Sequence, residues 1–282
     1  MDPSGECFTL VDVSYYEKYA ANAVWRQMKD GAGFPEHDPG FDPMGSGEFA
    51  GRFAAYFRNY LDESVCRHRP MRSQSSYVFC VDCRRSDVWR RCVFPGYKHS
   101  RDVTVPKFSM DGIKEWTASW MRGHNSMYGS ATVSCPGAEA DDVIAVLSRK
   151  FRREFPDVDV LIVSGDSDLL QLGGPGIVQI DSRGDVVTIA QRLDSDGVSF
   201  DPTPMNYLKY KIMTGDSTDD IPSIKYRRCG PKKAASMVRN EDELRQFLNS
   251  DEQVRRDFIR NSSLIDLRRI PHVIVESIEA QA

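Results

Sequence analysis

The chain has 282 residues, 40% of them hydrophobic and 28% charged, with a formal net charge of −4. These proportions suit a globular fold of one or two domains, and no stretch approaches the ~18 consecutive apolar residues of a membrane span. The opening "MDPSGECFTLVDVSYY" has no basic region before its apolar run, which argues against a secretion signal, and seven irregularly spaced cysteines fit a reducing cytoplasm better than a disulfide framework.

Strand and helix signals alternate from the start. A strand is expected over residues 7–13 and a helix over 14–29, followed by the Gly- and Pro-rich loop 31–47. A helix over 48–67 carries Phe49, Phe53, Phe57, Tyr60, Leu61 and Val65 on one face, a stripe read as core. A second strand covers 77–83. It contains Cys80-x-x-Cys83, whose lack of a second pair favours reduced thiols over zinc. Helices are expected at 113–122 and 139–153, and strands at 158–164, 176–180 and 186–189. This order predicts an α/β fold with a mainly parallel sheet and helices on both faces. Beyond residue 200 the signals are helical only, at 204–214, 231–239, 241–248, 252–264 and 271–279. A boundary is therefore placed near 200.

Acidic residues recur where these elements end. In an open α/β sheet, ligands sit beyond the carboxyl ends of the strands. Asp12 closes "FTLVD", Asp82 closes "YVFCVD", and Asp166 and Asp168 follow "VLIVSG". Glu139, Asp141 and Asp142 open one helix, and "GDSTDD" supplies Asp216, Asp219 and Asp220. Taken singly, each has a plainer reading: Asp12 or Asp168 as a helix cap, Asp142 or Asp220 as a solvent-facing acid. Gathered at one sheet edge, they would repel one another and raise their pKa values unless a cation intervened. Magnesium and manganese prefer such oxygen donors, and the set is large enough for two ions about 3.5–4 Å apart.

The net negative charge hides two basic stretches. Residues 84–107 hold seven basic and two acidic side chains, and residues 209–239 hold eight and three. Basic stretches flanking an acid-rich middle suit a polyanion lying across carboxylates.

Five segments, "LVDVS", "VDCRRSDVWRRCVFPGYKHSR", "EADDVIAVL", "SGDSDLLQL" and "TGDSTDDIPSIK", resemble the 5′-nuclease family in that family's order. This family comprises flap endonucleases, the 5′-exonuclease domains of bacterial DNA polymerases and phage 5′-nucleases. The likeness is greatest to the T-even phage ribonuclease H type, and it spans nearly the whole chain. It implies a PIN-like catalytic domain over 1–200, with a helical arch near 84–125, and a helix–three-turn–helix duplex-binding region over 201–282. It implies that Asp12, Asp82, Glu139, Asp141 and Asp166 form a first metal site and that Asp142, Asp168, Asp216 and Asp219 serve a second. Lys98 and Arg101 of "GYKHSR" become phosphate clamps sharing a helix face, and Arg90 and Arg91 strand contacts. Trp89 or Tyr97 could stack on a base, with core the better reading for Trp89. Lys225, Lys232 and Lys233 would contact duplex phosphates beside a helix N-terminus. Two departures stand out: the usual Gly-Ile-Gly-Pro-Lys becomes Arg228-Cys229-Gly230-Pro231-Lys232, which argues against a potassium ion there, and Asp220 replaces the usual Asn.

The expected function is a structure-specific 5′-3′ exonuclease and flap endonuclease with two magnesium ions, manganese substituting. It would cleave flapped or nicked DNA and RNA primers in RNA–DNA hybrids during phage replication. The protein is expected to be a monomer in the host cytoplasm with no membrane contact, and a single-stranded-DNA-binding protein is a partner that no motif here carries. The rivals are a metal-dependent PIN-like ribonuclease and a noncatalytic DNA-junction-binding protein.

Overall fold

The structure, a computed structural model, describes residues 7–28, 35, 37–68, 75–224 and 229–282. Five parallel strands form one sheet in the order β3-β2-β1-β4-β5: β1 (Cys7–Asp12), β2 (Ser75–Val81), β3 (Ala131–Ser134), β4 (Asp159–Val163) and β5 (Ile177–Ile180). The central strands are apolar runs because helices cover both faces. Alternation along each strand divides the side chains between two cores. Val11, Phe79 and Val163 face α1 (Val13–Met28), α2 (Gly47–Cys66) and α5 (Asp111–Tyr128). Leu10, Cys80 and Ile162 face α6 (Ala140–Glu154) and α12 (His272–Glu279).

The aromatic stripe on α2 is core, as its spacing implies: Phe49, Phe53 and Phe57 are buried. Two expectations are corrected. The segment 186–189 is no strand. Val186 makes a single antiparallel bridge to Ile180, and Thr188 then caps α7 (Ile189–Ser195), its hydroxyl accepting from the Gln191 N–H. The edge strand β3 was absent from the sequence reading, and α5 runs to Tyr128 before Gly129 ends it at φ 66°.

The stretch 84–125, where the resemblance places an arch, holds two short helices, α3 (Arg90–Val93) and α4 (His99–Val103), and most of α5. The C-terminal helices are α8 (Pro204–Thr214), α9 (Pro231–Arg239), α10 (Glu241–Leu248) and α11 (Glu252–Ile265). They share cores with the sheet region. Leu170, Ile189 and Phe200 pack with Tyr210, Met213 and Phe247, while α12 returns to lie against α6. Among the described residues, no helix is long and apolar enough to cross a membrane.

Candidate metal centre and nucleic-acid cleft

Register brings the acids to one edge. Asp12 pairs with Cys80, so Asp82 lies two residues further along the neighbouring strand, and Asp166 follows β4 on the other side of β1. Asp82 Oδ1 accepts from the Ala140 N–H at 2.7 Å, the favoured place for an anion at a helix start. That bond ties the tip of β2 to α6, which carries Asp141 in its first turn. These residues line an open cleft of about 1190 Å³ together with Lys98, Arg101, Glu139, Lys211 and Asp216.

Asp12, Asp82, Asp141 and Asp166 make no ion pair among the described residues, and the crowding shows in the raised pKa values of Asp12, Asp141 and Asp166. Burial, then the neighbouring Asp82, pushes Asp12 up to about 7, although its carboxylate accepts from the Tyr15 N–H and the Ser164 hydroxyl. Asp141 is raised well above the usual range by burial, with Asp166 and Asp12 adding to it. Burial also raises Asp166. Asp12 does perform the capping read for it, accepting from the Tyr15 N–H, but after β4 the cap is Asp166 rather than Asp168, its carboxylate accepting from the Asp168 N–H at 2.9 Å. Each keeps a place in the acid group as well.

The remaining acids are held by cations. Glu139 receives Lys98 Nζ at 2.6 Å, Arg90 Nη1 at 3.0 Å and the Tyr97 hydroxyl at 2.8 Å. Burial would raise its pKa, yet Lys98 and Arg90 pull it down to about 2. Lys211 Nζ bridges Asp168 at 2.9 Å and Asp216 at 2.6 Å. Burial works against the Asp216 anion, but Lys211 holds its pKa below the usual range. Asp219 receives Arg101 at 2.6 Å, Tyr97 at 3.1 Å and Lys98 at 3.4 Å, and burial still leaves its pKa raised.

Three assignments change. Asp142 is wholly buried, and its oxygens accept from both terminal nitrogens of Arg90, from the Trp89 indole and from the Glu139 N–H, which removes it from the ligand set. Arg90 is buried with it and also donates to the Leu264 carbonyl, so it is a scaffold cation rather than a strand contact. Tyr97 is buried against Glu139 and Asp219 and presents no face to a base. Trp89 packs against the core, as its plainer reading holds.

The other expected contacts stand differently. Lys98 stands just before α4 in a left-handed conformation at φ 53° and makes no capping bond, so it does not share a helix face with Arg101; both nonetheless reach the cleft. Arg91 is tied to Asp102 at 2.7 Å. Lys232 is exposed at the start of α9, and Lys233 lies over the Phe247 ring at 4.9 Å. Lys225 and the turn 225–228 lie outside the described residues. Asp220 takes φ 57° and accepts from the Ser100 N–H at 2.7 Å; Asp and Asn both tolerate that backbone. The sequence reading did not single out Lys211 or the hydroxyl of Tyr97.

Among the described residues, no three acidic, histidine or cysteine side chains already meet at one metal-sized point. The chemistry of the donors nonetheless fits a hard divalent cation. The four acids offer only oxygen, and burial and mutual repulsion raise the pKa values of Asp12 and Asp141, a conflict that a nearby positive charge would relieve.

Residues 53–199, just over half of the chain, match the family model for the 5′-3′ exonuclease N-terminal resolvase-like domain. A 5′-3′ exonuclease of Aquifex aeolicus is 33% identical over 206 residues, 72% of this chain and 64% of that protein. DNA polymerase I of Rhizobium leguminosarum is 29% identical over 195 residues, 67% of this chain and 17% of that protein. The chain thus spans less than two thirds of the length of these curated relatives. Among solved structures, the T5 D15 protein co-crystallised with metal ions superposes with a TM-score of 0.61 at 16% identity, covering 98% of this chain and 96% of that one. The T5 D15 flap endonuclease in a pseudo-enzyme-product complex with DNA and metal ions gives 0.59 at 14%, covering 98% and 97%. At these identities the likeness shows the fold.

Proposed function

This chain belongs to the 5′-3′ exonuclease family, and from that premise we propose that it hydrolyses phosphodiesters at single-strand/duplex junctions of DNA. Flapped and nicked DNA and RNA primers annealed to DNA are its substrates, and two magnesium ions, replaceable by manganese, are its cofactors. The observation that carries the reading is the group Asp12, Asp82, Asp141 and Asp166. Three strand tips and a helix start deliver four acids to one cleft, with no lysine or arginine paired to them among the described residues. These four would hold the first ion, with Glu139 beside them, and Asp168, Asp216 and Asp219 the second. When bound, such a pair lowers the pKa of water and stabilises the attacking and leaving oxygens.

The chain's own residues do the rest. The Ser164 hydroxyl and the Tyr15 N–H fix the orientation of Asp12, and the Ala140 N–H fixes Asp82. Arg101, 38% exposed, borders the cleft and turns to a phosphate once Asp219 is neutralised by another cation. The free N–H groups at the start of α9, with Lys232 exposed there, suit a duplex phosphate.

The test is cleavage of a 5′-labelled flap substrate in magnesium. The wild-type protein releases the flap, and Asp82→Asn combined with Asp166→Asn abolishes release. Activity retained in that double variant removes the proposed chemistry.

A further inference from the structure

Most of the cations bordering the cleft are already committed. Seven lysine and arginine side chains line it. Lys98, Arg101 and Lys211 hold the acids described above. Arg85 donates to the Arg101 carbonyl at 2.8 Å and Arg192 to the Gly165 carbonyl at 2.9 Å. The other two, Lys18 and Arg26, are exposed and make no ion pair or side-chain hydrogen bond with the described residues.

Both stand on α1, with Asn22 midway between them. Steps of four residues place all three on one helix face. Tyr15 and Tyr19 line the same wall. That face cannot rotate away, because Tyr16, Ala20, Val24 and Trp25 anchor the opposite side of α1 in the core. The helix starts at the residue after Asp12. At ~1.5 Å of rise per residue, Lys18, Asn22 and Arg26 stand roughly 9, 15 and 21 Å along it from the acid tip. The far end meets the segment beyond α4, where Trp25 stacks on Phe108 at 4.5 Å. A polar rail thus leads from the acids along one wall of an open cleft, with two cationic side chains that form no ion pair among the described residues and a tyrosine ring beside it; Lys18, at its near end, also feels the charge of Asp82 and Asp12.

We propose that this face of α1 receives the sugar–phosphate backbone of the single-stranded arm as it leaves the acid tips. Lys18 and Arg26 hold successive phosphates, Asn22, whose amide donates to the Lys18 carbonyl at 2.7 Å, fills the polar surface between them, and Tyr19 offers its ring to a base. Phosphate contacts of this kind position a strand without reading its sequence. A duplex fits less well, because its phosphates have the start of α9, whereas α1 runs from the acid tips with Lys18 and Arg26 in no ion pair among the described residues. The inference rests on the nuclease reading and adds the path of the strand to it.

The test measures binding of two fluorescent hairpin duplexes in calcium, one with a 5′ single-stranded arm and one without. Wild-type protein is compared with Lys18→Ala, Arg26→Ala and the double variant, and a melting curve establishes that each is folded. In the double variant, affinity for the armed hairpin falls roughly tenfold or more. Its dependence on log salt flattens by about 1.4, or about 0.7 per lost single-strand phosphate contact. Affinity for the armless hairpin does not change. An equal loss on both hairpins, or no loss on the armed one, overturns the assignment to the single strand while leaving the nuclease reading standing. Wild-type protein that neither prefers the armed hairpin nor cleaves it in magnesium sinks the nuclease reading, and this inference falls with it.

Discussion

The ammonium of Lys211 lies 2.6 Å from the carboxylate of Asp216 and reaches Asp168 at 2.9 Å with the same nitrogen. All three side chains are largely buried, so the lysine acts as an internal counter-ion for two acids that the proposed second metal would also claim. Lys211→Met leaves both carboxylates without a partner. Removing one member of a buried pair costs about 3–5 kcal/mol, so the variant melts well below wild type in chelator. Manganese restores most of that loss, because a divalent ion takes over the lysine's charge. Thermal melts with and without manganese read both effects, and equal melting of variant and wild type in chelator would show that the bridge holds nothing.

Arg90 ties three parts of the chain together: Glu139 and Asp142 at the start of α6, and the Leu264 carbonyl on α11. Arg90→Met strands Asp142, which has no access to solvent, and again costs about 3–5 kcal/mol. Arg90→Lys recovers little, since one ammonium cannot replace a planar fork with several donors. Urea denaturation of the two variants separates charge from geometry; a lysine variant as stable as wild type contradicts the geometric account.

Glu17 is buried between α1 and α5. Burial pushes its carboxyl up to about 7 from an ordinary 4.5, although a bond to Thr117 works the other way. A folded-state pKa above the unfolded one means that the native protein binds the extra proton. That stability is fully present below about 4.5 and is lost as pH rises through 7. At ~1.4 kcal/mol per pH unit, the gap is worth about 3 kcal/mol. Glu17→Gln keeps the hydrogen bond and removes the titration. The variant is therefore more stable than wild type at pH 8, and the difference shrinks towards pH 5. Denaturation curves across that range give the sign, and an advantage that grew on acidification would refute the assignment.

Gly215 sits at φ 70° and ψ −166°, where only glycine is at ease. A methyl group there would run into the Ile221 carbonyl oxygen and lie 2.6 Å from the Pro222 carbonyl carbon. The turn that it opens is closed by paired hydrogen bonds between Asp216 and Ile221, and it carries Asp216 and Asp219. Gly215→Ala therefore costs at least ~1–3 kcal/mol in backbone strain and reduces the stabilisation conferred by manganese. A lower urea midpoint with a smaller metal-induced rise in melting temperature is the expected pair of results.

The sheet edge was legible because buried parallel strands are written as unbroken apolar runs, and a carboxylate at the end of such a run stands out. Strand β3 was not legible: of Ala131–Ser134 only Val133 is buried, so no pattern develops. The segment 186–189 is a run of four β-branched residues and so resembles a strand, but the cap at Thr188 prevailed. The roles of the cations were hidden for a different reason. Arg90 and Arg91 are adjacent and identical in type, and only the fold reveals that one meets Asp142 in the interior while the other meets Asp102 nearer the surface. Lys211 did carry a signal, since it stands among Tyr207, Leu208, Tyr210, Ile212 and Met213 in α8, positions that are all buried. A lysine enclosed in that way needs an acid, and Asp216 follows five residues later.

The hydroxyl of Tyr97 joins Glu139 to Asp219, and Arg90 reaches forward to Leu264. Early and late stretches of the polypeptide therefore complete each other across more than a hundred residues. During synthesis the first two hundred residues leave the ribosome with Arg101 and Tyr97 lacking Asp219, Asp168 lacking Lys211 and Arg90 lacking the Leu264 carbonyl. A chain still being translated therefore lacks these cross-braces until residue 264 has emerged.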